Sequence, residues 1–162
     1  MKQILFLSLV LLLSGFAEAQ KVNPVVKHYG AVSPVPYAQE KPDPSIDYKV
    51  LVEVTADNPK PEMVHELLEK TAAVVNLHAL GGVPANKLHV VLVIHGAAAP
   101  FVVNDAEYQK KYHTANPNLG LFKELKEAGV KIFVCGQSLE KRNIDPATVA
   151  PEIGRASCRE RV

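Results

Sequence analysis

Two short segments of the 162-residue chain combine residue types that can do chemistry: His95-Gly96 and Cys135-Gly136-Gln137-Ser138. Glycine directly after the cysteine lets a reactant or another backbone come close to the thiol. A helix starting after Gln137-Ser138 would aim unpaired N–H groups at the same place. Those groups and the helix dipole favour the nucleophilic thiolate. His95 can act as a base toward the thiol or steady its anion. Plainer readings stand beside these: a small buried hydrophobe ending a strand, and a strand-end histidine satisfied by backbone. Lys141 and Arg142 follow the cysteine, at a looser spacing than in loops that cradle an anion with amides and one cation.

The remaining histidines add little. His78 falls on an apolar helix face and reads as a packed, hydrogen-bonded residue, while His28, His65, His89 and His113 have no cooperating partner at ligand spacing. Zinc takes three or four ligands of Cys, His or carboxylate type, so no metal site is expected. Gly81-Gly82 and Asn86 form no phosphate loop and no GxGxxG exists, so no cofactor is expected either.

For the two segments to meet, the chain between them must carry them to one edge. Tyr48 to Ala56 is nearly continuously apolar and β-branched, as in a central strand covered on both faces. Glu62 to Leu80 has a helical apolar spacing closed by Gly81-Gly82, and Leu88 to Ile94 is a second strand. Asp105 to Tyr112 reads as a short polar helix. Asn116-Pro117 opens another, with Leu119, Phe122, Leu125 and Ala128 inward and Gly129 at its end. Val130 to Val134 is a third strand, Leu139 to Asn143 a short helical start, and Asp145-Pro146 the cap of a last helix. Such alternation implies βαβ units with right-handed crossovers and a parallel sheet, hence an α/β fold. Ligands of such sheets bind beyond the carboxyl ends of the strands. Thr55-Ala56-Asp57, His95-Gly96 and Cys135-Gly136 all reach that edge.

Both ends differ from this pattern. Met1 to Ala19 has a basic Lys2, an apolar run from Ile4 to Leu13 and the small-x-small Ala17-Glu18-Ala19, which reads as a signal peptide cleaved before Gln20. The product is expected to be periplasmic or secreted. Residues 20–47 hold Pro24, Pro34, Pro36, Pro42 and Pro44 and read as an extended arm, with Val25, Val26, Tyr29, Val32, Val35 and Tyr37 available to dock it. Residues 48–151 form the α/β domain. Residues 152–162, EIGRASCRERV, back-translate to a common sequencing adapter read in frame. They are expected to be non-native, with the gene truncated near Pro151 and the last strand missing.

Between Gln20 and Pro151 lie 14 basic and 14 acidic side chains. That balance offers neither nucleic acid nor an anionic membrane a basic footprint, so neither is expected as a partner once the signal is cleaved. About 130 residues can bury roughly two thirds of their unfolded surface, enough for one core. With Cys158 set aside, Cys135 has no disulfide partner within the chain, and a lone exported cysteine suggests intermolecular pairing or a working thiol.

The segments NLHALGGVPANKLHVVLVIHGAAAPFVVNDAEY (Asn76 to Tyr108) and NPNLGLFKELKEAGVKIFVCGQSL (Asn116 to Leu139) resemble the DsrE/DsrF-like superfamily of sulfur-relay proteins, particularly its exported members. The His95-Gly96 pair and GVKIFVCGQS are the most specific parts. The resemblance implies a flavodoxin-like three-layer fold with a small parallel sheet, assembled as a homotrimer or homohexamer. In cytoplasmic relay members a strand-end cysteine carries sulfur as a persulfide, and Cys135 is its equivalent here. The chain departs from those members in its signal peptide and Pro-rich arm, and it stops where they continue with another strand and a helix. The expectation is an exported thiol protein, a sulfurtransferase or sulfur carrier. It would accept or transfer sulfane sulfur on Cys135, with His95 assisting and Gly96, Gly136, Gln137 and Ser138 lining the anion site. The donor or acceptor is a protein or small molecule. The competing expectation is a non-enzymatic oligomeric binding module in which Cys135 is structural.

Overall fold

The computed structural model describes residues 20–157; the expected signal peptide and Cys158 lie outside the described residues. Four parallel strands form one sheet in the order β1-β2-β3-β4: Tyr48–Val54, Leu88–Ile94, Lys131–Cys135 and Gly154–Ala156. Registers are continuous, with Val54 against Ile94, Ile94 against Val134 and Cys135 against Ala156. The connections carry α1 (Glu66–Leu80), α2 (Asp105–Tyr112), α3 (Leu119–Glu127) and α4 (Gly136–Lys141). This is the α/β class with a helix-flanked, all-parallel sheet.

Strand order fixes where the helices go. Each successive strand is added on the same side of the last, so right-handed crossovers all land on one face. That face holds Val54, Val90, Leu92, Ile94, Ile132 and Val134, packed in one core with Leu68, Ala72, Val75, Leu121, Phe122, Leu125 and Leu139. The other face carries Lys49, Leu51, Glu53, Val91 and Phe133, and Leu51 is 66% exposed. The helix-flanked parallel sheet is the expected flavodoxin-like arrangement, and of its three layers the sheet and the helical layer on the core face are present among the described residues. β1 is therefore an edge strand with alternating burial, not the doubly covered central strand its apolar run suggested. Lys49 and Glu53 are the residues that mark its open side.

Sequence reasoning found three strands, and the fourth comes from the segment expected to be non-native. Ile153 is buried in the core, and Gly154 lies under the Phe133 ring, where a Cβ would stand 2.8 Å from Cδ1. Three residues are too few to show an apolar period, so this strand left no pattern to read.

Two helices start later than their patterns predict. α1 begins at Glu66 rather than Glu62, because His65 caps it: Nδ1 accepts from the Leu67 amide at 3.2 Å, and Nε2 lies 3.0 Å from the Ala56 carbonyl oxygen. His65 thus has partners that helix spacing alone did not reveal. α3 begins at Leu119, because Asn116 is used as a buried loop staple whose amide donates to the Phe101 and Val103 carbonyls.

The Pro-rich arm docks on the domain itself. Val26 is 1% exposed within the core, whereas Val25, Val35 and Tyr37 remain exposed. Asn76 of α1 latches the arm, accepting from the Val25 and Val26 amides and donating to the Val26, Tyr29 and Gly30 carbonyls. Gly30 crosses α1 at φ +63°, where a Cβ would collide with the Ala72 and Ala73 backbone. Gly30→Ala is accordingly expected to cost about 2 kcal/mol and to expose the arm to proteolysis. Urea denaturation and limited digestion would check both effects.

Candidate functional site

The site is made where β2 and β3 end. After Ile94, His95 continues in extended backbone (φ −153°, ψ −176°), its amide donating to the Val54 carbonyl at 3.0 Å. Gly96 then turns at φ +59°, and residues Gly96–Val102 coil into a buried 3₁₀ segment that sequence reasoning did not anticipate. A left-handed φ explains the glycine, since other residues adopt it only under strain.

Cys135 closes β3 and is the residue from which α4 departs, its own backbone still extended. The helix starts at Gly136, earlier than expected, so Gln137 and Ser138 lie inside its first turn rather than ahead of it. Cys135 is a free thiol, 8% exposed, and its side chain makes no capping bond to the helix amides. At Gly136 a Cβ would come within 3.2 Å of the Ala156 carbonyl oxygen, so this glycine admits the end of β4. One bond joins the two loops: the Gly96 amide donates to Ser138 Oγ at 3.0 Å.

His95, Gly96, Cys135, Gly136 and Ser138 therefore meet at the carboxyl edge of the sheet, and Gln137 projects to solvent from the same turn. Lys141 and Arg142 do not join them; they line a separate cleft with Tyr108, Lys111 and Tyr112. His78 is packed as expected, edge-on to Tyr48 and bonded through Nδ1 to the Val74 carbonyl. Sequence reasoning missed Glu53, whose Oε1 lies 2.8 Å from His95 Nε2. Period-two alternation along YKVLVEV, aligned with LHVVLVI, would have placed that carboxylate on the face His95 occupies.

Chemically, the edge offers a thiol, a histidine one strand away and the first turn of a short helix. That set suits nucleophilic attack by sulfur with a base at hand.

A model of the DsrE/DsrF-like family matches residues 64–158. Among solved structures, a protein of unknown function from Methanobacterium thermoautotrophicum superposes with a TM-score of 0.51. The two are 18% identical over 69% of this chain and 84% of the other. At that identity the likeness is one of fold. No curated protein matches the chain.

Proposed function

The chain belongs to the DsrE/DsrF-like family, and from that premise we propose that it is an exported thiol protein that accepts or transfers sulfane sulfur as a persulfide on Cys135. The observation that carries this reading is the placement of Cys135 at the end of β3 beside the His95-Gly96 turn, the two joined by the Gly96–Ser138 bond. In the transfer, the Cys135 thiolate attacks the outer sulfur of a persulfide or polysulfide. A new S–S bond forms to Cys135 as the donor S–S bond breaks. The donor sulfur leaves with the electron pair as a thiolate and takes up a proton, so no outside oxidant or reductant is needed. The amides at the start of α4 and the His95 ring would steady the anion.

The reading of residues 1–19 as a signal peptide supports a periplasmic or secreted setting, and the donors and acceptors in this proposal are exported ones. A homotrimer or homohexamer belongs to the same proposal, supported by the open sheet face around Leu51.

A second reading draws support from the low exposure of Cys135: an oligomeric binding module in which the cysteine only ends a strand. Incubation of the mature protein with polysulfide, followed by intact mass spectrometry, separates the two. A sulfur-sized adduct is expected. Its absence, with the native thiol also closed to alkylation, would favour the binding module.

A further inference from the structure

β1 presents Lys49, Leu51 and Glu53 on the face away from the core, and its register sets Glu53 against Val93. His95 stands two residues beyond Val93 in extended backbone and so returns to that face. Cys135 stands two residues beyond Phe133, one step past the Ile94–Val134 pair, and does the same on β3. Glu53, His95 and Cys135 thus form a row across the carboxyl ends of three neighbouring strands, whose axes run about 4.8 Å apart. Within the row, His95 Nε2 lies 2.8 Å from Glu53 Oε1. That nitrogen is sealed from solvent and has no hydrogen-bond partner, so the carboxylate faces it as an ion-pair partner. The other charged or titratable groups on this face, Lys49, His89 and Lys131, lie toward the amino ends of their strands.

We propose that Glu53 is a positioning residue: its carboxylate holds the His95 ring with Nε2 toward β1 and so commits Nδ1 to the Cys135 thiol. The inference rests on the persulfide reading and names the group that would ready the thiol for it. A neutral imidazole carries its proton on one nitrogen and accepts on the other. A carboxylate opposite Nε2 favours the proton there, which leaves the Nδ1 lone pair to take the thiol proton. The products are a thiolate and an imidazolium, with the imidazolium charge balanced by Glu53.

The test is iodoacetamide alkylation of native protein carrying Cys158→Ser, between about pH 5 and about pH 9, followed by intact mass for that parent and for Glu53→Gln, Glu53→Asp and His95→Asn made in it. Alkylation forms the S–C bond and releases iodide, so its rate follows the thiolate. Glu53→Gln is expected to slow the reaction about tenfold at neutral pH and to move the rise in rate to higher pH. Glu53→Asp should recover part of the loss, and the Glu53→Gln, His95→Asn pair should be no slower than His95→Asn alone. A Glu53→Gln profile that overlays the parent's while His95→Asn shifts would overturn the positioning role and leave the persulfide reading standing. The role is equally overturned if polysulfide loads Cys135 and neither variant moves the profile. A parent thiol inert to both reagents would remove the persulfide reading and this inference together.

Discussion

With Cys158 also replaced by serine, Cys135→Ser is expected to lose sulfur loading entirely while unfolding close to wild type. The loss follows from the step itself, because a serine oxygen cannot form the S–S bond on which the transfer depends. The unchanged stability follows from where the residue sits. Cys135 occupies the position ahead of α4, in extended backbone, and makes no capping bond. Serine is among the preferred residues there, and its oxygen can accept from an amide of the first turn, a bond worth about 1 kcal/mol. That gain offsets the placing of a hydroxyl in a site only 8% exposed. Intact mass after polysulfide treatment reads the first expectation and a urea melt the second. A serine variant that still gains a sulfur-sized adduct would move the chemistry off Cys135, since the thiol is then not the acceptor. A variant that loses the adduct because it has unfolded would instead favour a structural role for the cysteine.

The sheet edge was legible because it follows from topology. Alternating strands and helices force a parallel sheet, and a parallel sheet brings its strand ends to one rim, so His95 and Cys135 had to reach the same rim. Leu88–Ile94 and Asp105–Tyr112 fell where their patterns placed them. Single side chains that act across long stretches of sequence were not legible. Glu53 reads as a polar interruption of a strand until the register with β2 is known. His65 and Asn116 read as ordinary residues near helix starts, although one caps α1 and the other ties the loop after β2 to the start of α3. Their partners lie in other segments, and helix propensity carries no information about them. The open sheet face is a further case. It depends on strand order, which composition and periodicity leave undetermined.

Asn76 supplies the largest stability effect expected here. Its carboxamide lies at the centre of the α1 face that receives the arm and makes five hydrogen bonds, all to backbone of residues 25–30. Asn76→Ala removes every one of them and strips the Val26 amide and the Gly30 carbonyl of the Asn76 side chain, while Asn23 Nδ2 still donates to the Val26 and Tyr29 carbonyls. Each stranded buried polar group costs about 1–3 kcal/mol, and the arm relieves part of this by lifting into water. A net loss of about 3 kcal/mol is expected, together with rapid cleavage within residues 20–47. Asn76→Asp separates hydrogen bonding from shape. It keeps the acceptor for the Val25 and Val26 amides but turns an anionic oxygen toward the Val26, Tyr29 and Gly30 carbonyls. Burial against those oxygens favours the protonated acid, so the folded-state pKa rises above the unfolded value of about 3.9. A raised carboxyl pKa destabilises the fold increasingly as pH climbs past that unfolded value, and the penalty fades as pH falls back through it. The aspartate variant should therefore be weaker than the alanine variant at neutral pH and recover relative to it in acid. Denaturation curves for both variants at neutral and acid pH would show the crossing. Parallel curves, or an arm that resists protease in Asn76→Ala, would mean that Val26 packing rather than the carboxamide holds the arm to the domain.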